Sequence, residues 1–171
     1  MGLFQSYGAG LSVICDAPDT APELAQAPPE QKSVVLAKYI EENLYNKEAI
    51  ELFTTLGAAS EESKFKMLRK AAKKAGLQQC KLADQLEESY LTERKEQASY
   101  LCELPSCESF VASDPNTLLP CAKPVLSPAV HGELEAMNRS SPAGLARDIR
   151  SFIQPFNLPS CELALALQNA Q

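Results

Sequence analysis

Six cysteines and one histidine are the residues of this chain whose types can do chemistry beyond packing. Cys15, Cys80, Cys102, Cys107, Cys121 and Cys161 form an even set spread over 171 residues. With a single imidazole for company, such a set reads as three disulfides and not as a metal centre. Zinc sites need clustered CxxC or His spacings, and the sequence has none. Thiol–disulfide exchange is the other chemistry open to cysteine. Cys102 and Cys107 enclose Glu-Leu-Pro-Ser at a helix end that Pro105 breaks, a place where a short bond is open to reduction. Redox pairs more usually open a helix, where the positive end of the dipole lowers the thiol pKa. Cys102 falls at a helix C-terminus, so a structural bond is the expectation here and redox use the alternative.

The remaining candidates for catalysis are weak. His131 would need a serine or cysteine within reach and a carboxylate to orient it. Glu133 and Glu135 are too near in sequence to be diagnostic, no GxSxG motif occurs, and we expect a surface histidine. The acidic pairs Glu41–Glu42, Glu61–Glu62 and Glu87–Glu88 stand among Lys and Arg, the pattern of solvated helix faces and not of acid–base sites. The glycines form no phosphate loop. Asn138-Arg139-Ser140 is a glycosylation sequon, usable only in a eukaryote. No catalytic residue, metal or cofactor is therefore expected, and the chain reads as a binding protein in preference to an enzyme.

Charge narrows the partners. The net charge of −6 excludes a nucleic-acid surface, which needs a basic face. One basic run, KFKMLRKAAKK at 64–74, has the residue types for phosphate or anionic lipid. Its apolar members Phe65, Leu68 and Ala72 share a stripe with the following Ala75, so we read the lysines as the solvated face of a helix.

Disulfides imply an oxidising compartment, so a periplasmic, cell-surface or extracellular protein is expected. The N-terminal MGLFQSYGAGLSVIC lacks the basic start of a signal peptide. It matches the myristoylation pattern through Gly2 and Ser6, which would suit a cytosolic membrane-associated adaptor with free thiols. Cys15 as an acylated lipoprotein cysteine is ruled out by Ile14, too large for the preceding position. We expect that an export signal has been removed and that Met1 was added. No run of 18 apolar residues exists to span a membrane.

These residues must be positioned by helices. Leu and Ala dominate the apolar set, Trp is absent and aromatics are 6% of the chain, which favours an all-α fold. Residues 1–29 read as a flexible Pro/Ala-rich lead-in, followed by a helical half at 30–104 and a second at 105–171, with one compact unit as the alternative. About seven helices follow from the periodicity. The first, over 30–45, carries Val35, Leu36, Tyr39, Ile40 and Leu44 on one stripe; the next is capped by Asn46, buries Ile50, Phe53 and Leu56, and stops at Gly57. Ser60 caps a third, which Gly76 ends in the left-handed conformation. A long helix over 82–104 has a wholly polar middle, TERKEQ, and joins the halves. Beyond it, SCESFVAS makes one or two turns and SDPNTLLPCAKP is loop. Ser127-Pro128 and Ser141-Pro142 each open a helix, and Ser160 caps the last.

The phrases CKLADQL (80–86) and CELALAL (161–167) recur at a shift of 81. At the same shift Leu56 meets Met137, Ser60 meets Ser141, Leu68 meets Ile149, Gly76 meets Asn157 and Cys80 meets Cys161. CDAP (15–18) resembles CAKP (121–124), with a shorter interval. A duplication is expected, and equivalent bonding within each copy then predicts Cys15–Cys80 and Cys121–Cys161, leaving Cys102–Cys107. The two long loops would each be worth about 4 kcal/mol in the chain-entropy model.

The segment NKEAIELFTTLGAASEESKFKMLRKAAKKAGLQQCKLAD, with CDAP ahead of it, resembles uncharacterised exported cysteine-containing helical proteins of deltaproteobacteria over about residues 15–84. The resemblance implies bacterial export and disulfides, and transfers no catalytic residue. The expected function is an exported, disulfide-stabilised binding or scaffold protein whose partner is a protein, a peptide or an apolar ligand.

Overall fold

The computed structural model describes residues 4–158 and 160–170. Its regular elements are nine α-helices with four single 3-10 turns, and the described residues contain no strand beyond one isolated bridge between Val111 and Asp114. The fold is all-α. It divides into two units, Met1–Tyr90 and Leu91–Gln171. The division falls inside the long helix and not at 104/105, because each unit uses one end of that helix for its core.

In the first unit, α1 (Tyr7–Thr20), α2 (Lys32–Asn43), α3 (Lys47–Ala58), α4 (Glu61–Lys74) and the start of α5 (Lys81–Glu103) surround one core. The lead-in expected at 1–29 is thus corrected: its centre is a helix. Ser6 caps α1 by accepting from Ala9 N, and Leu11, Ile14, Cys15 and Ala17 are completely buried. This helix is held by tertiary contact more than by propensity. Gly10 lies so close to α3 that a Cβ there would stand 3.0 Å from the Cβ atoms of Asn46 and Ala49. The Gln5 carboxamide accepts from Tyr45 N at 2.7 Å and Asn46 N at 2.9 Å, and donates to Asn43 O at 3.2 Å. Pro18 sits in the last turns of α1, where its missing N–H costs one bond without ending the helix.

The cap residues of the later helices act as their types dictate. Asn46 accepts from Ala49 N and Ser60 from Ser63 N. Gly57 lies inside α3 and does not end it, and Ile50 is 42% exposed while Ala49 takes the buried place. Gly76, at φ +74°, closes α4. Leu77 N bonds Ala72 O at 2.9 Å and Gly76 N bonds Lys73 O at 3.2 Å, the paired bonds of a Schellman stop.

The second unit packs the end of α5 with α6 (Leu118–Ala122), α7 (Pro128–Ala136), α8 (Pro142–Ile153) and α9 (Glu162–Asn169). The loop expected over SDPNTLLPCAKP contains α6, whose Leu118, Cys121 and Ala122 are buried. Ser127 and Ser141 cap α7 and α8 with Pro at the first helical position. Cys161, not Ser160, is the residue before α9, and its side chain is spent on a disulfide and not on a cap. Arg94 of α5 makes a two-point ion pair with Glu133 of α7, one bond at 2.7 Å, and lies 4.8 Å from the Phe152 ring centre of α8.

Helix starts repeat with one interval. Lys47, Glu61 and Lys81 begin α3, α4 and α5, and Pro128, Pro142 and Glu162, each 81 residues on, begin α7, α8 and α9.

Candidate functional site

Three disulfides join the six cysteines, and no cysteine is free among the described residues. Cys15 bonds Cys80, tying α1 to the start of α5 as expected. The other two pairings differ from expectation. Cys102 bonds Cys161 and Cys107 bonds Cys121, so neither Cys121–Cys161 nor Cys102–Cys107 exists. The reason lies in which Cys-x-x-Pro is equivalent to CDAP. CELP at 102–105 continues a buried stripe of Ala98, Leu101, Cys102 and Leu104, spaced as Leu11, Ile14, Cys15 and Ala17 are in α1. CAKP at 121–124 merely begins in the short α6. Each unit therefore has one long bond from its first helix to the residue ahead of its last. The redox reading of Cys102 with Cys107 loses its pair.

Burial separates the bonds. Cys15, Cys80, Cys102 and Cys161 are all buried within the two cores. Cys107 is partly exposed, Cys121 is buried, and the Ser109 hydroxyl lies 3.3 Å from the first sulfur and 3.1 Å from the second.

A groove of about 670 Å³ opens on the first unit. Between α1 and α2 the chain runs through the turns of APELAQAPP, from which Ala21, Leu24, Ala25 and Pro29 line the groove. Leu24, Leu36, Leu82 and Leu86 supply the apolar lining, with Ser33 and Gln85 among the polar groups that reach it. Leu36 and Leu86 are partly exposed there, whereas Leu163 and Leu167, 81 residues on from Leu82 and Leu86, are completely buried in the second unit. In that unit Phe110 packs against the core and Pro115 is buried.

The other candidates lose their chemistry to neighbours. In the basic run, Lys64 pairs with Glu61, Lys66 with Glu62 and Arg69 with Asp84 and Glu87, while the Lys74 ammonium lies 5.7 Å from the Tyr7 ring centre. The hydrogen bond to Asp84, with Glu87 beside it, holds the Arg69 guanidinium above its ordinary pKa, and the Glu62 bond does the same for Lys66. Glu61, Glu62 and Glu87 of the acidic pairs are thus engaged by these cations. His131 is half-buried: its side chain is 19% exposed, Nδ1 is 3.5 Å from Glu135, and Nε2 is buried without a hydrogen bond. No nucleophile bonds it, so no triad forms. Among the described residues no three His, Cys, Asp or Glu side chains gather to hold a metal, and no helix is long and apolar enough to cross a membrane. Met1 and Gly2, on which the acylation reading rests, lie outside the described residues.

Apolar grooves were expected between the halves, and a groove within the first half was not, because unfilled volume has no motif. The spacing of 87 between CDAP and CELP was a signal that could have given the true pairing. Comparison with protein-family models, with curated proteins and with solved structures finds no match.

Proposed function

We propose that the chain is an exported bacterial binding protein of two related disulfide-tied halves, and that the groove of the first half holds a short apolar peptide segment. The observation that carries this reading is the contrast between the halves. Leu86 is partly exposed in an open groove beside the nearly enclosed Leu82, while its counterpart Leu167, 81 residues on, is completely buried. The second unit packs Phe110 against its core and buries Pro115, so a segment with an aromatic residue and a proline a few positions apart is the apolar chemistry chosen to probe the groove. A volume of about 670 Å³ is of the size that ligand pockets have. Three disulfides suit the oxidising conditions of periplasm or cell surface, and they hold the groove walls α1 and α5 together through Cys15–Cys80.

The test is a thermal-shift panel of short peptides carrying Phe and Pro, set against fatty acids, phospholipid vesicles and polar peptides. A rise in Tm confined to the Phe/Pro peptides is expected. A flat panel, or a rise with lipid alone, overturns the peptide reading.

A further inference from the structure

We propose that the Cys107–Cys121 bond is a thiol–disulfide exchange site, separate in place and chemistry from the groove, and that its reduction by a dithiol frees the segment between the two cysteines. The geometry sets it apart from the other bonds. Cys107 is the one partly exposed residue among the six bonded cysteines, flanked by the exposed Glu108 and Ser109, while its partner Cys121 and the other four are buried in the cores. Its loop is the shortest, with a separation of 14 residues against 65 and 59, so it contributes least to holding the chain folded. The first unit surrounds its core with a single long bond and has no counterpart of this short one.

The step balances with a dithiol as reductant. A thiolate of the dithiol attacks Sγ of the partly exposed Cys107, forming a mixed disulfide, and the bond to Cys121 breaks. The electron pair leaves on Cys121 Sγ. Disulfide sulfurs carry no hydrogen, so the Ser109 hydroxyl, 3.1 Å away, is the donor in that contact and stabilises the departing thiolate until solvent protonates it. The second thiol of the dithiol then resolves the mixed disulfide, leaving Cys107 as a thiol and the reductant oxidised. The turn at Val111–Asp114 and the 3-10 turn at Pro115–Thr117 lie within the freed stretch.

The experiment titrates the native full chain with dithiothreitol, traps thiols with iodoacetamide, and reads intact mass, peptide maps and far-UV circular dichroism. Cys107 and Cys121 are expected to be alkylated together, with helicity unchanged, at about tenfold or more lower dithiol concentration than the other four, the margin that an accessible bond holds over enclosed ones. Opening of all three bonds in one step with loss of helicity, or prior opening of either long bond, overturns the proposal. Ser109→Ala is expected to slow reduction of this bond about fivefold, the worth of one hydrogen bond, with an unchanged melting curve. An unchanged rate removes Ser109 from the role.

Discussion

Gly76 and Asn157, 81 positions apart, are the two described residues whose backbones enter the left-handed region, at φ +74° and +49°. Gly76 ends α4 four residues ahead of the bonded Cys80, and Asn157 closes the turn after α8 four residues ahead of the bonded Cys161. Two units that share their caps, their interval of 81 and these two stops use one local solution twice: stop a helix sharply, then place a cysteine against the first helix.

The backbone strain at these stops is measurable. A Cβ at Gly76 would meet nothing within 4 Å, so Gly76→Ala tests conformation alone, without a clash. It is expected to cost about 1–2 kcal/mol in denaturant unfolding. Asn157→Gly removes a milder strain and is expected to be neutral or stabilising. Equal losses in the two variants would contradict this account of the stops.

The parts legible in the sequence were those with local chemistry. Asn46, Ser60, Ser127 and Ser141 mark helix starts because a side-chain oxygen must meet an orphan N–H, and each does. What tertiary contact decides was not legible. Gly8, Gly10 and Pro18 make residues 7–20 look unfit for a helix, yet Gly10 is there for closeness to α3. The disulfide pairing was partly legible. Equivalent bonding in each unit was a sound idea applied to the wrong Cys-x-x-Pro, because the first helix of the second unit is hidden in the end of α5. The position of the groove was not legible, because it depends on how residues 18–36 and 82–89 pack together.

The long bonds and the short one differ in what they constrain. Cys15→Ser with Cys80→Ser opens a loop of 65 residues and is expected to cost about 4 kcal/mol. Cys107→Ser with Cys121→Ser opens one of 14 and is expected to cost about 3 kcal/mol. Hydrogen exchange in the second variant should quicken over 108–120 and stay unchanged over α8. Faster exchange throughout the second unit would mean that this bond supports the core after all.

Close approach and helix propensity predict opposite signs for one substitution type in the first unit. Gly10→Ala pushes a methyl to 3.0 Å from Asn46 and Ala49, and is expected to destabilise by about 1–3 kcal/mol. Gly57→Ala, within α3 and with open space around the new methyl, is expected to stabilise by about 0.5–1 kcal/mol. The midpoint of urea unfolding checks both. A neutral Gly10→Ala would show that α1 is not held against α3 as described.

The groove can be tested without disturbing the core beneath it. Leu36 and Leu86 are partly exposed and pack only at the edge of the core, so a polar group there costs the fold less than at Leu82, which is nearly enclosed and would confuse binding with stability. Burying one leucine side chain against a ligand is worth about 1.5–3 kcal/mol. Leu36→Gln and Leu86→Gln should therefore each weaken a bound Phe/Pro peptide about tenfold or more in calorimetric titration, with the melting curve of the free protein little changed. Ser33→Ala, which removes a hydroxyl beside the same apolar lining, should have a smaller effect, near the worth of one hydrogen bond. If the leucine variants bind as the native chain does, the apolar lining is not the contact surface. The contrast between the open groove of the first unit and the sealed leucines of the second would then need a cause in folding and not in recognition.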